Sequence, residues 1–239
     1  QPALREQPTN LIEAMVAARD REGSAVTDQD VSGNVLTMLL AGEDTTANTL
    51  AWTLHLLWTH PAALARAVDE VRRLCGDAPV PTLDHIAQLD YIEACAHEAM
   101  RLKPVAPVNA VEALRDTTVG DVHVPRGMVV IGVMRRDATS ERHIVDAGAF
   151  DPERWLGDAS SAASSAKRIS MPFGAGPRIC PGRYLALLEM KMALAVLLGH
   201  FELAAVGTDD GQPPREKLQL AMAPVGLRMR LRERAADHA

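Results

Sequence analysis

Apolar residues recur at helical spacing along most of the chain, and this pattern predicts a mainly α-helical protein. Residues 9–21 have the period of an amphipathic helix, with four apolar side chains on one face: Leu11, Ile12, Met15 and Val16. A longer periodic run extends from residue 31 to about residue 60, where Pro61 ends it. Thr27 and Asp30 have the spacing of a capping box before that run. At ~1.5 Å per residue, this helix is expected to be roughly 45–50 Å long.

Further helices are predicted downstream. One covers residues 62–75 and ends at Gly76. Another is expected to be capped by Asp90, with Glu93 in the capping-box position, and to run to about residue 102. A strongly apolar helix covers residues 182–198 and is expected to end at Gly199.

The pattern becomes β-like after residue 104. Short runs at residues 119–124 and 128–134 are separated by Gly120-Asp121 and by residues 125–127, which is a hairpin signal. The Ser/Ala-rich residues 157–167 are expected to form an irregular loop, and residues 218–231 to form two strands around residues 224–226. We predict a mainly α fold with a minor antiparallel β part.

Composition narrows the possible functions only slightly. The 239 residues carry a net charge of −6, and the 25 basic residues are spread along the chain, which disfavours a nucleic-acid surface. Three cysteines without CxxC spacing disfavour a disulfide scaffold or a structural zinc site and are typical of a reducing cytoplasm. The chain has no apolar run of membrane-spanning length, so no membrane segment is expected in it.

The segment with the most specific pattern is residues 173–182, in which small residues surround Cys180 just before a helix. The unpaired N–H groups and positive dipole end of a helix N-terminus stabilise a thiolate. Glycines let the backbone approach a flat, bulky cofactor, and Arg178 is placed to pair with a carboxylate of it. A lone cysteine is more often a small buried hydrophobe, and we apply that interpretation to Cys75 and Cys95 only.

A polar patch interrupts the long predicted helix at residues 43–46, next to Gly42. Glycine in a helix interior costs about 1 kcal/mol, a cost that needs a reason. If the two acids of the patch were buried, they would need a partner or a proton. A solvent-facing stripe is the alternative interpretation.

An acid and a base three residues apart, Glu98 and Arg101, lie on one face of a predicted helix and can pair. Taken alone, such a pair is common on protein surfaces and contributes little. The segment Asp151-Pro152-Glu153-Arg154-Trp155 carries a further arginine.

Taken together, these segments resemble the cytochrome P-450 family. Residues 173–182 match its loop FxxGxRxCxG, residues 41–46 match [AG]GxDTT, Glu98 and Arg101 match ExxR, and residues 151–155 match the segment that supplies a second arginine. Each motif is weak alone, but four in the family's order and spacing are strong. The resemblance covers residues 1–239 as the C-terminal part of a single P-450 domain, with the N-terminal half absent from this chain.

The resemblance implies a role for each matched residue. Cys180 would be the axial thiolate ligand of heme b iron, Arg178 would hold a heme propionate, and Phe173 and Gly174 would pack against the cofactor and its ligand. The resemblance also implies that Asp44 and Thr45 deliver protons and that Ala41 and Gly42 contact the cofactor. Glu98, Arg101 and Arg154 would form a structural salt-bridge network.

The implied activity is that of a bacterial, cytoplasmic monooxygenase, which inserts one oxygen atom from O2 into a small organic substrate. Electrons would come from NAD(P)H through an external ferredoxin or flavodoxin/reductase partner. The helix with Arg183 and Lys191 is a candidate docking site, although surface charges are usually only solvated. The fragment alone is expected to be inactive. The alternatives are a non-catalytic heme-binding or heme-sensing module, against which the Asp44-Thr45 pair argues, and a fragment that does not retain heme.

Three apolar residues after the ExxR helix are candidates for the substrate pocket, with core packing as the alternative: Val105, Ala106 and Val108. Two positions depart from the family pattern. Val111 stands where many bacterial members have a propionate-binding arginine, and Arg135 stands where many relatives have His or Asn. Heme anchoring from this half is therefore expected to rest on Arg178.

Overall fold

The computed structural model of the protein describes residues 7–76, 78, 80–157 and 162–234; for residues 162–165 it describes the backbone only. The chain divides into two compact units, and their boundary falls between Asp44 and Thr45. Helices dominate the described residues and the strands form small antiparallel pairs, so the predicted fold class is confirmed. Within these ranges no helix combines the length and the apolar character needed to cross a bilayer.

The α-helices in the described residues are, in chain order, α1 Leu11–Arg19, α2 Asp28–Thr59, α3 Pro61–Cys75, α4 Leu83–Ala87, α5 Asp90–Leu102, α6 Met134–Ala138, α7 Ala162–Ser170 and α8 Arg183–His200. Two short 3-10 turns, Pro152–Trp155 and Gly176–Arg178, lie between them.

The strands are β1 Val108–Glu112, β2 Thr117–Val119, β3 Val122–Val124, β4 Val129–Val133, β5 Phe201–Gly207, β6 Arg215–Leu218, β7 Met222–Val225 and β8 Arg228–Glu233. They pair as four two-stranded antiparallel ribbons: β1 with β4, β2 with β3, β5 with β8, and β6 with β7. The predicted hairpin at Gly120-Asp121 is the β2–β3 ribbon.

The first unit contains α1 and the beginning of α2, and a side chain caps the N-terminus of each of these helices. The Asn10 side chain accepts a hydrogen bond from Glu13 N at the start of α1. At the start of α2, the Thr27 hydroxyl accepts from Asp30 N, while the Asp30 carboxylate accepts from Thr27 N at 2.8 Å. The capping box predicted from Thr27 and Asp30 is thus confirmed.

The N-terminus of α5 is capped differently from the prediction. Asp90 is the first residue of the helix, and the preceding residue, Leu89, makes no side-chain capping bond. The cap comes from α3, where the Glu70 carboxylate accepts hydrogen bonds from Tyr91 N and Ile92 N, both at 2.9 Å. A carboxylate from a neighbouring helix satisfies the free N–H groups that a local capping box would otherwise bind.

One prediction about an irregular segment is wrong. Within the predicted loop at residues 157–167, residues 162–167 belong to helix α7, while residues 158–161 lie outside the described residues. The two strands predicted around residues 224–226 are present as β7 and β8, but they do not pair with each other, because β7 pairs with β6 and β8 pairs with β5. Local turn chemistry predicted the strands but not their partners, which depend on distant segments.

The main core of the second unit lies where α3, α5 and α8 pack together. Its fully or nearly fully buried members include Leu57, Ala67, Val71, Ile92, Cys95, Leu194 and Leu198. A Cβ atom at Gly199 would lie only 3.4 Å from Val71 Cγ1, so this position in α8 needs a small residue for close helix packing. Gly199 therefore lies inside α8, which ends at His200 rather than at the glycine.

Candidate functional site

Cys180 closes a tight loop that leads into helix α8. Cys180 N donates a hydrogen bond to Phe173 O at 2.8 Å, which joins the two ends of the loop. Gly174 and Gly176 have φ values of +73° and +69°, a region in which any other residue would be strained. The backbone reversal therefore requires glycine, and it places the Cys180 thiol just before the N-terminus of α8.

The environment of Cys180 differs from that of the other two cysteines. Cys75 and Cys95 are buried, and burial raises the pKa of both thiols, which keeps them protonated. Cys180 is half-exposed. Among the three cysteines it alone combines solvent access with a position at a helix entrance, as a metal-binding thiolate requires.

Arg178 and the polar surface of the loop are open to a ligand. The Arg178 side chain is exposed and forms no ion pair or side-chain hydrogen bond with the described residues. Phe173 is half-buried and packs against a small cluster of Ala96, Met100 and Met190. The loop thus offers a soft sulfur ligand, a cation without a partner among the described residues and a glycine surface, a set that fits a flat metal-containing cofactor with acidic side chains.

Glu98 and Arg101 form a completely buried pair within α5. Arg101 Nε and one terminal nitrogen each donate to a different oxygen of Glu98 at 2.7 Å. The remaining Arg101 donors bind the carbonyl oxygens of Ala138, Ala147 and Ala149 at 2.6–2.8 Å. A buried charged pair is tolerated only when its hydrogen-bonding capacity is filled in this way.

The segment at residues 151–155 completes the surroundings of Glu98. Trp155 Nε1 donates to Glu98 Oε2 at 2.9 Å, and Asp151 N donates to Glu98 Oε1 at 3.0 Å. Arg154 Nε lies 3.4 Å from Glu98 Oε1, while its terminal nitrogens donate to the carbonyls of Val145 and Asp146. Glu98 therefore links helix α5 to the 3-10 turn Pro152–Trp155, which precedes the Cys180 loop in the sequence.

The polar patch lies in α2, which continues through it as an α-helix. Ala41, Gly42 and Asp44 are exposed, and Thr45 is half-buried. A Cβ atom at Gly42 would meet no atom of the described residues within 4 Å, so packing among those residues does not require the glycine.

Below the patch, α2 carries a ladder of threonines that the sequence analysis did not single out. Thr49 Oγ1 donates to Thr45 O, and Thr53 Oγ1 donates to Thr49 O, both at 2.8 Å. Thr49 and Thr53 are almost completely buried. Such back-bonding to the preceding turn satisfies buried hydroxyls and often bends helices. Threonines spaced four residues apart were the sequence signal for it.

The three substrate-pocket candidates occupy different environments. Val105 is half-buried, and its carbonyl accepts from Met222 N at 2.8 Å; Ala106 is exposed. Both line a small pocket of about 20 Å³ beside Met100 and Met134. Val108 is exposed and begins β1, opposite Val133.

The structure shows the neighbours of Val111 and Arg135, the two positions that depart from the family pattern. Val111 is exposed in β1 and pairs with Val130. The Arg135 guanidinium binds Glu216 in β6, and Lys103 binds the same carboxylate. These cations lower the pKa of Glu216 against the opposing effect of its burial, so Arg135 serves to join α6 to the β6–β7 ribbon.

The suggestion that Lys191 is a docking residue is wrong. Its side chain is buried and binds Glu93 Oε2 at 2.8 Å, which joins α8 to α5. The His97 ring, with Nε2 3.8 Å from Glu93 Oε1, and the Lys191 ammonium together lower the pKa of Glu93 to about 2. Arg183 is half-exposed and its guanidinium lies over the Tyr184 ring at 4.2 Å. A cation inside an ion pair between helices has no free surface for a partner.

Comparison with known proteins assigns the family. The family model described as Cytochrome P450 matches residues 1–231. Human cytochrome P450 4F12 is 33% identical over 230 residues, which cover 93% of this chain and 42% of that protein. Pentalenene oxygenase of Streptomyces avermitilis is 31% identical over 95% of this chain and 50% of its own length. The chain therefore spans half or less of these two relatives.

A solved structure gives the same result in three dimensions. The heme domain of cytochrome P450DA matches with a TM-score of 0.80 and 33% sequence identity, over 93% of this chain and 49% of that chain. A second cytochrome P450 structure matches with a TM-score of 0.82 at 32% identity. The family model, the sequence relatives and the structural likeness agree, and the family predicted from four short motifs is confirmed: this chain belongs to the cytochrome P450 family.

Proposed function

We propose that the intact protein is a heme-thiolate monooxygenase, and that residues 1–239 are the C-terminal part of its single P450 domain. The observation that carries the proposal is the half-exposed Cys180 at the entrance to α8, in a loop whose glycines lie at positive φ and whose Arg178 has no partner among the described residues. Family membership supports the same assignment.

In this proposal the residues that would hold heme b come from two segments of the sequence. Cys180 would bind the iron through its thiolate, and Arg178 would bind a propionate. Phe173 and Gly174 would form the loop surface against the cofactor, and Ala41 and Gly42 of α2 would be further cofactor-binding residues. Bound heme would supply the activation of dioxygen, which a thiolate ligand promotes by donating electron density.

Asp44 and Thr45 are the proposed catalytic pair. Both residues belong to the sequence of α2. A hydroxyl next to a carboxylate can hold and pass on a proton, which is a general-acid task. Glu98, Arg101 and Arg154 take no part in this chemistry and keep the segment before the loop in place.

The proposed substrate is a small organic molecule with an apolar surface, in contact with Val105, Ala106 and Val108. Two relatives are named as an oxygenase and a hydroxylase, which supports oxygen insertion as the reaction. Electrons would come from NAD(P)H through a ferredoxin or flavodoxin/reductase partner, in a bacterial cytoplasm. We propose that this chain alone is inactive, because it spans only half or less of the length of these relatives.

A non-catalytic heme-binding module is the second candidate. It would need Cys180 and Arg178 but not the Asp44-Thr45 pair, because binding a cofactor requires no proton delivery. The presence of both acidic and hydroxyl groups next to Gly42 favours the oxygenase.

The heme–thiolate assignment is tested by the absorption spectrum of the full-length, heme-loaded protein. Reduced protein with carbon monoxide should show the red-shifted Soret band of a thiolate complex, because the sulfur donates electron density to the iron. A spectrum of the histidine-ligated type would reject the assignment.

The catalytic assignment is tested by Thr45→Ala in the same protein. We expect it to consume NAD(P)H without a matching amount of product, because protons no longer reach the oxygen in the order that the reaction needs. Product yield per NAD(P)H, measured beside Thr59→Ala at the distant end of α2 as a control, decides the point. Unchanged coupling in Thr45→Ala would favour the non-catalytic alternative for this pair.

A further inference from the structure

The His97 ring lies between the buried Glu98 network and the Cys180 loop. On one side it stacks on Trp155, with ring centroids 4.8 Å apart and planes inclined by 15°. On the other side it meets Phe173 edge-on, with centroids 6.1 Å apart and an angle of 90°. Both arrangements belong to the favourable geometries of aromatic pairs.

The Trp155 side of this contact is rigidly anchored. Trp155 Nε1 donates to the fully buried Glu98, which Arg101 holds through two hydrogen bonds. Trp155 itself is buried. A ring stacked on Trp155 is therefore held beside the fully buried Glu98 network.

The polar contacts of the His97 ring are confined to one nitrogen. Nδ1 is buried without a hydrogen-bond partner among the described residues, and Nε2 is 3.8 Å from Glu93. The Glu93 contact holds one edge of the ring, and the two aromatic contacts hold the rest of it. An unpaired buried nitrogen is unfavourable, so the polarity of Nδ1 does not explain the place of the ring in the structure.

The Phe173 side leads directly to the proposed ligand. Phe173 O accepts the hydrogen bond from Cys180 N at 2.8 Å. The position of the Phe173 residue therefore determines where the backbone of Cys180 lies, independently of any cofactor.

We propose that His97 is a positioning residue, which transmits the fixed position of Trp155 and Glu98 through Phe173 to the Cys180 loop. We assign it a positioning role and not a catalytic one, since its ring contacts are with Trp155 and Phe173. The proposal rests on the assignment of Cys180 as the heme ligand and adds the group that keeps this ligand's loop in place.

The consequence is electronic as well as structural. Apolar groups around a ligand sulfur limit its access to water, and hydrogen bonds to the sulfur withdraw electron density from the metal. If Phe173 loses the edge contact with His97, the loop gains freedom and water reaches the sulfur more often. The reduction potential of the heme should then rise.

The surroundings of His97 also make it suitable for substitution. It lines an open cavity of about 560 Å³, together with Trp155, Phe173, Gly174, Ile179 and Arg183. Because one flank of the ring faces this cavity, a side chain of different shape can be accommodated without displacing a helix.

The test uses His97→Leu and His97→Phe in the full-length, heme-loaded protein. Leucine removes the ring, whereas phenylalanine keeps both aromatic contacts and removes the unpaired nitrogen. We expect His97→Leu to raise the reduction potential by up to about 59 mV, a tenfold change in the one-electron equilibrium constant. His97→Phe should keep the wild-type potential.

A double-mutant cycle identifies the route of the effect. If His97 acts through Phe173, then His97→Leu added to Phe173→Leu should leave the potential of Phe173→Leu unchanged. Additive shifts would show that His97 acts by another route and would overturn the proposal. If His97→Leu does not fold, His97→Gln, which has no ring edge to present to Phe173, replaces it in the cycle.

The outcomes separate this proposal from the function on which it rests. A thermal midpoint that falls in His97→Leu while the potential stays constant would make His97 merely structural and reject the proposal alone. Wild-type protein without the thiolate spectrum would reject the assignment of Cys180 and the role of His97 together.

Discussion

Replacing Arg101 with methionine should lower the free energy of unfolding by about 3–5 kcal/mol, the cost of leaving a buried charge without its partner. Glu98, with a fully buried side chain, would keep only its bonds to Trp155 Nε1 and Asp151 N and the more distant Arg154. The carbonyls of Ala138, Ala147 and Ala149 would lose their donor as well. Urea unfolding of the full-length protein, followed by circular dichroism, measures this loss.

The chain offers a matched control for this experiment. Arg228 pairs with Asp209 at 3.1 Å, but both side chains are about three-quarters exposed. Arg228→Met should therefore change the free energy of unfolding by no more than about 0.5 kcal/mol.

Removing the stranded charge should recover part of the loss. Glu98→Gln added to Arg101→Met removes the buried charge and leaves one amide oxygen, which can accept from either Trp155 Nε1 or Asp151 N but not from both, since these donors bind different oxygens of Glu98. Because the uncompensated charge is the larger cost, the double variant should be more stable than Arg101→Met alone. A double variant as unstable as the sum of the two single variants would contradict the view that Glu98 and Arg101 act as one unit.

The second large effect is expected at Cys180. Cys180→Ala should abolish the red-shifted Soret band of the reduced carbon monoxide complex and all product formation, because alanine offers no ligand for the iron. The fold itself should persist, since Cys180 is half-exposed and its loop is closed by a backbone hydrogen bond that alanine retains.

Cys75→Ala is the control for Cys180→Ala. Cys75 is buried at the end of α3, and burial raises the pKa of its thiol, so it has no role in metal binding and its loss should leave the spectrum unchanged. The assignment of Cys180 as the iron ligand would be rejected if Cys180→Ala kept the thiolate band or if Cys75→Ala lost it.

Several features were predictable from the sequence because they depend on neighbouring residues. The capping box of α2 needs only Thr27 and Asp30, and the β2–β3 hairpin needs only the turn at Gly120-Asp121. The family was likewise predictable from short motifs in the correct order, and the comparisons confirm it.

Other features could not be predicted because the decisive partner is far away in the chain. Glu70 caps α5 from 21 residues upstream, and Lys191 binds Glu93 from 98 residues downstream. Nothing local distinguishes Lys191 from an exposed lysine, so its interpretation as a surface cation was wrong.

The amino-acid sequence alone determined the helical periodicity, the local caps and turns, and the residue types of the motifs, since all of these depend on side chains a few positions apart. Only the tertiary structure decided which strands pair, that Glu98 and Arg101 are completely buried, and that His97 lies between Trp155 and Phe173. The physical reason is that burial and ring contacts arise when distant segments exclude water from a shared space, and no periodicity records which segments will meet.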